Sequence, residues 1–134
     1  MRHRIGLART RSTSTHLRCR GRNGSAARAS FAAGEPRTVE YTPSFVDGIG
    51  SKTVFPNMFE LARRLLDGSL IVTLPDAVQA MKLVAERNRV IVEGASACAV
   101  AAARSGRAGS GKIVAIVSGG NIDLDKFTQL IGQS

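Results

Sequence analysis

Short apolar segments alternate along this chain with segments that have helical spacing, and this alternation limits the possible folds more than any other feature. Residues 69–74 and 113–117 are apolar runs of the kind found in buried strands, and residues 37–41 alternate as a short strand could. Strands that alternate with helices are typical of an α/β domain built on a parallel sheet. Because so few strands would leave the sheet exposed, we predict an incomplete three-layer parallel sheet, part of a larger one.

Helical segments flank these runs. The helices are predicted at residues 55–66, 73–88, 95–104 and 124–131. The second has the clearest start, because the Thr73 hydroxyl can cap it with Asp76 three residues later and Pro75 in the first turn. Gly68, with the residue before it, should end the first helix, since glycine accepts the left-handed conformation at a helix C-terminus.

Positive charge is concentrated at the start of the chain. Residues 1–28 contain eight arginines and no acidic residue, whereas residues 29–134 contain eleven basic and ten acidic residues. The first segment has too few large apolar groups for burial to offset the ordering of the chain. We therefore predict a disordered basic N-terminal arm at 1–28 and a nearly neutral domain at 29–134.

The basic arm allows three interpretations. An organelle presequence fits its richness in Arg and Ser, a nucleic-acid-binding arm fits its charge, and an unselected leader fits its simple composition. All aromatic residues lie outside the arm, from Phe31 onward. The arm therefore lacks the stacking residues of single-strand binders, and nucleic acid is an unlikely partner.

Cysteine, histidine and apolar content exclude several classes of protein. Cys19 and Cys98 lie far apart, so no disulfide framework is indicated, and Cys98 is expected to be a small buried residue. His3 and His16 are expected to be solvated, and no metal site is predicted. No apolar run approaches the ~20 residues that cross a bilayer. We predict a soluble cytoplasmic protein with no membrane partner, or an organelle protein if the arm is a presequence.

A glycine turn after the last apolar run is the strongest local signal. It reads Ser118-Gly119-Gly120-Asn121 and precedes the closing helix. Ligands in open α/β sheets bind at such strand ends, where glycine amides can approach an anion or the edge of a heterocycle. A tight turn needs small residues without any ligand as well, so the spacing alone leaves a structural role open.

Three segments in order carry a resemblance to a known family. They are Val-Asp-Gly-Ile at residues 46–49, Glu-Arg at 86–87 leading into Ile-Val-Glu-Gly-Ala at 91–95, and Ile-Val-Ser-Gly-Gly-Asn-Ile-Asp at 116–123. From Phe31 onward the chain resembles the C-terminal part of the threonine dehydratase and serine racemase family of pyridoxal-phosphate-dependent enzymes, of fold type II (tryptophan synthase beta-like). The resemblance implies pyridoxal phosphate as the cofactor.

The resemblance also implies cofactor-binding roles for five residues. Ser118 would form a hydrogen bond with the pyridine nitrogen, a neutral partner that leaves a weaker electron sink suited to elimination of a β-hydroxyl. Gly119, Gly120 and Asn121 would shape the turn around the ring. Glu93 would lie near the cofactor cleft, although it could equally stabilise the third helix through its dipole.

The same resemblance implies that parts of the enzyme are missing. In the family, a lysine in the first domain holds the cofactor and a glycine-rich loop holds its phosphate, and both precede the matched region. Lys52, Lys82, Lys112 and Lys126 fall in segments whose counterparts do other work. We therefore predict no catalytic residue in this chain and no activity of the chain alone.

The complete enzyme would eliminate water from threonine or serine, giving a 2-oxo acid and ammonia, with racemisation as a variant. A separate N-terminal half, or a second copy of the chain, is the partner that this interpretation suggests. The alternative from another class is a non-catalytic interaction protein whose basic arm binds nucleic acid or an acidic partner.

Overall fold

The fold belongs to the α/β class, as predicted, with two strands among the described residues. The computed structural model describes residues 12–18 and 25–133. In chain order, the elements are β1 (Ser12–Arg18), α1 (Ala26–Ala33), α2 (Pro56–Leu65), β2 (Leu66–Thr73), α3 (Leu74–Asn88), α4 (Gly94–Arg104) and α5 (Leu124–Gly132).

The strands β1 and β2 form a two-stranded parallel sheet. Ser14 pairs with Ser69 and Arg18 with Thr73, and the register is irregular near Ser12. The helices α1 and α2 lie between the two strands in the chain, in keeping with the long crossover that parallel pairing requires. The predicted disorder of residues 1–28 is corrected at β1, because a polar sequence does not prevent the backbone from pairing with a neighbouring strand.

Helix α1 is a second correction to the predicted arm, because it begins before residue 29. The Ser25 side chain caps its start, and Gly34 ends it in the left-handed conformation with φ 76°. Phe31 meets Phe59 of α2 edge to face, with ring centroids 5.7 Å apart. This tertiary contact favours the helix in a way that composition does not reveal. The rest of the predicted arm lies outside the described residues, and its division from the domain stays a prediction.

Helix α2 passes into β2 with no residue between them. It ends at Leu65, and Leu66 is already extended with φ −110° and ψ 137°. The predicted end of this helix at Gly68 is therefore corrected, because the backbone from Leu66 onward pairs with β1. The strand predicted at residues 69–74 is confirmed, although it begins earlier and ends at Thr73.

Helix α3 has the start that its sequence predicts. The Thr73 Oγ1 accepts a hydrogen bond from the Asp76 N–H at 3.2 Å and donates one to the Asp76 carboxylate at 2.6 Å. The helix ends at Asn88, and Arg89 follows it in the left-handed conformation with φ 59°. Both predicted ends are confirmed, because local capping decides them.

The hydrophobic core lies where α3 and α4 pack together. Alanine dominates the α4 surface, so the two helices can approach closely. The buried core residues are Val46, Val72, Ala77, Ala80, Met81, Val84, Val92, Ala97, Cys98, Ala101, Ala102 and Phe127. The predicted third and closing helices are confirmed as α4 and α5.

Residues 37–41 and 113–117 do not form strands, so these two predictions are wrong. A strand needs a neighbouring backbone to bond with, and β1 and β2 are the paired strands among the described residues. Large apolar side chains of the second segment are consequently exposed, Val114 by 88% and Ile116 by 75%. We call Ile113, Val114, Ile116 and Val117 the apolar edge. Within the described residues, the helices lack the length and apolar character needed to cross a membrane.

Candidate functional site

The start of α4 meets the glycine turn of residues 118–121. Glu93, which directly precedes α4, donates its backbone N–H to the Gly119 carbonyl at 3.2 Å. Two residues that sequence analysis placed in one site are therefore joined by a backbone hydrogen bond. Because α4 begins here, the positive end of its dipole also faces this region.

Other groups approach the backbone of both glycines closely, and the backbone neighbour of Gly120 leaves no room for a side chain there. A Cβ on Gly119 would lie 2.9 Å from Glu93 Oε1, and a Cβ on Gly120 would lie 2.6 Å from the Ile91 carbonyl oxygen. The structural role that the sequence left open for these glycines therefore exists. The loop of residues 45–50 adds a third wall, since a Cβ on Gly48 would lie 3.6 Å from the same Glu93 oxygen.

Ser96 links the first turn of α4 to Ser118. Its Oγ accepts a hydrogen bond from the Gly119 N–H at 2.8 Å and lies 3.4 Å from Ser118 Oγ. Ser96 is buried, with 2% of its surface exposed, whereas Ser118 is exposed. The buried Ser96 hydroxyl thus holds the turn in place, and Ser118 lies beside it on the exposed side of the turn.

Ser96 was not among the predicted site residues. A serine three residues after Glu93, inside an alanine-rich helix, was the available signal. Nothing in the spacing indicates that this serine and Ser118, 22 positions later, lie side by side. That proximity depends on how the turn folds back against α4.

Asn121 is exposed at the end of the turn, beyond the contacts of Ser96 and Glu93. The next residue, Ile122, donates its N–H to the Gly120 carbonyl at 2.9 Å and tightens the chain before α5. An open depression of about 660 Å³ lies beside the first turn of α5. Its lining residues are Asp123, Leu124, Asp125, Lys126 and Gln129. This depression contains none of the five predicted site residues, and its two acids disfavour an anionic ligand.

The remaining polar candidates lie away from these contacts or are inert. Cys98 is buried, its thiol donates to the Gly94 carbonyl at 3.2 Å, and burial raises its pKa to about 12. It is thus the small buried residue that was predicted. In residues 25–133, no cluster of three His, Cys, Asp or Glu side chains could hold a metal ion.

Comparison with known proteins adds a family. The model of the family described as pyridoxal-phosphate dependent enzyme matches residues 6–119. The chain is 36% identical over 108 residues to the catabolic L-threonine dehydratase of Escherichia coli K12, a match that covers 78% of this chain and 33% of the relative. It is 33% identical over 126 residues to the L-threonine ammonia-lyase of Geobacter sulfurreducens, covering 90% of this chain and 31% of the relative.

Solved structures show the same likeness. The processed form of threonine deaminase isoform 2 from Solanum lycopersicum has a TM-score of 0.73 and 27% identity, covering 90% of this chain and 34% of that one. Maize serine racemase has a TM-score of 0.69 and 31% identity, covering 87% of this chain and 39% of that one. The chain therefore spans about a third of the length of the curated relatives it matches.

Proposed function

Because this chain belongs to the family of pyridoxal-phosphate dependent enzymes, we propose that it supplies the ring-nitrogen side of the cofactor site in a threonine dehydratase-like enzyme. Enzymes of this family use pyridoxal phosphate. The observation that carries the proposal is the Ser118 hydroxyl, exposed and held beside α4 through Ser96 and Gly119.

The residues present fit one end of the cofactor. An exposed hydroxyl can exchange a hydrogen bond with the ring nitrogen without adding charge, and Gly119 and Gly120 carry no side chain that would obstruct the ring. Glu93 is held beside the turn by its own N–H and would form part of the same wall. Asn121, exposed beyond it, would border the ring.

The bound cofactor supplies an electron sink for loss of the Cα proton of an amino acid. In the proposed reaction, the β-hydroxyl of threonine or serine leaves as water, and a water molecule then hydrolyses the dehydrated product to a 2-oxo acid and ammonia. The named relatives are a threonine dehydratase, a threonine ammonia-lyase, a threonine deaminase and a serine racemase, which support a small hydroxy amino acid as substrate. The role of this chain is to orient the ring through Ser118.

We propose further that the chain is inactive alone and works with a separate N-terminal half of the fold. Its match to about a third of each relative supports a missing portion. The apolar edge also supports a partner, because Val114 and Ile116 are exposed and a bound partner would remove them from water. A second copy of the chain is the other partner that could cover this surface.

Complementation tests this proposal. The chain is co-expressed with the part of the E. coli threonine dehydratase that precedes the matched region, and formation of 2-oxobutanoate from threonine is measured. We expect activity from the pair, none from either part, and a loss of about tenfold or more with Ser118→Ala, which removes a hydrogen bond to the reacting system.

Ser110→Ala is the matched control, because Ser110 is an exposed serine in the loop after α4. It should leave the activity of the pair unchanged. Turnover by the chain alone would refute the claim of inactivity. A pair that co-purifies, binds pyridoxal phosphate and is still inactive would refute the assigned reaction, and a pair that does not associate would refute the proposed partner.

A further inference from the structure

We infer that Ser96 is a positioning residue that sets the direction of the hydrogen bond at Ser118, so that Ser118 donates its own hydrogen outward. The identity of the outward acceptor, the cofactor ring nitrogen, rests on the proposed function. The direction itself follows from the described residues alone.

The Ser96 hydroxyl can form more than one hydrogen bond. A serine hydroxyl has one hydrogen to donate and two lone pairs that can accept. The Gly119 N–H, at 2.8 Å, occupies one lone pair of Ser96 Oγ. The hydroxyl hydrogen of Ser96 remains, and it must find an acceptor because the side chain is almost fully buried.

Within residues 25–133, Ser118 Oγ is the acceptor within hydrogen-bonding distance of the Ser96 hydroxyl, at 3.4 Å. If Ser118 donated to Ser96 instead, the buried hydrogen of Ser96 would have no partner, and such unsatisfied buried groups are costly. Ser96 therefore donates to Ser118.

One of the two lone pairs of Ser118 then accepts from Ser96, so the hydrogen of Ser118 is left for another acceptor, and Ser118 is an exposed residue. That hydrogen can be donated to a neutral ring nitrogen, which is an acceptor, but not to a protonated one, which is a donor. Ser96 would thereby favour the unprotonated ring and the weaker electron sink that suits β-elimination.

The test places a titratable probe at position 118 and needs neither cofactor nor partner half. Ser118→Cys is made in a Cys19→Ser background, and the rate of iodoacetamide alkylation is followed against pH. Cys98 does not interfere, because it is buried and its pKa is raised to about 12. A hydrogen bond donated by Ser96 stabilises the introduced thiolate, so adding Ser96→Ala should raise the midpoint by about one pH unit.

Glu93 and the N-terminus of α4 also affect the thiol at position 118, but both are present with and without Ser96→Ala, so they do not alter the comparison. Ser96→Thr keeps the hydroxyl and should restore the lower midpoint. Alanine suits a helix, so Ser96→Ala should preserve α4. An unchanged or lower midpoint in Ser96→Ala overturns the inference.

A second measurement tests the hydrogen bond from the Gly119 N–H to Ser96, on which the inference also depends. Hydrogen exchange of the Gly119 amide should become about tenfold faster in Ser96→Ala, which removes its acceptor, and should be unchanged in Ser118→Ala. Unchanged Gly119 exchange in Ser96→Ala also overturns the inference. Because the chain is studied alone, either failure leaves the complementation result intact, and a failed complementation leaves these results intact.

Discussion

The α3–α4 layer and the apolar edge have similar apolar residues but opposite surroundings. Met81 of α3 is fully buried between helices, whereas Val114 of the apolar edge is 88% exposed. The difference shows that an apolar pattern in the sequence indicates a surface suited to burial, whereas the element that buries it must come from elsewhere in the fold. In α3 it comes from α4, and at the apolar edge the described residues leave most of the surface open.

The largest expected difference between the two regions is in the loss of stability when one side chain is truncated in each. Met81→Ala should lower the free energy of unfolding by about 2–5 kcal/mol, because it removes buried contacts and leaves a cavity. Val114→Ala should change it by less than about 0.5 kcal/mol, because little surface is buried there. Urea denaturation followed by circular dichroism measures both. Equal losses would mean that the apolar edge is covered in solution.

A charge introduced at the apolar edge tests whether a partner buries this surface. Ile116→Asp should leave the isolated chain folded, since Ile116 is exposed, but should weaken association with the N-terminal half by about tenfold or more. Affinity measured by titration calorimetry checks this. Lys112→Asp, a charge change at an exposed position just before the edge, serves as the control. Equal effects of both variants would point to general electrostatics instead of burial.

The smallest expected effect concerns the buried thiol of α4. Burial raises the pKa of Cys98 from 9.0 to about 12, so the folded chain keeps the proton while the unfolded chain loses it. This contribution to stability is fully present below pH 9 and is lost as pH rises toward 12. The free energy of unfolding should therefore fall less steeply with rising pH in Cys98→Ala, by up to about 1.4 kcal/mol per pH unit. Denaturation curves between pH 8 and about 10.5 compare the two proteins. An unchanged slope would show that the thiol is accessible.

Sequence predicted best what local chemistry decides. Thr73 and Asp76 fix the start of α3 through bonds between near neighbours, so that boundary was confirmed. Residues 113–117 were predicted as a strand from their composition, but a strand also needs a partner backbone, which a local pattern cannot supply. β1 was not predicted, because its sequence is polar and it forms a strand through pairing with β2.

The candidate site shows the same division. The structure brings Glu93 and Gly119 together by a backbone bond and places Ser118 beside them, while Asn121 lies exposed at the rim. Resemblance to a family identified these residues, and their roles toward the cofactor stay predictions. Ser96 was missed because a single serine among alanines has no local signature, and its partners are distant in sequence.

β2 joins α2 and α3 directly, with no loop residue at either end that could absorb a change in length. α2 ends at Leu65, β2 occupies Leu66–Thr73, and α3 begins at Leu74. A single residue inserted at either junction would turn every following side chain of the strand to the opposite face or rotate α3 by about 100° about its axis. We therefore expect the length of this segment to tolerate change far less than its composition, so that deletions and insertions here are as disruptive as losses from the core.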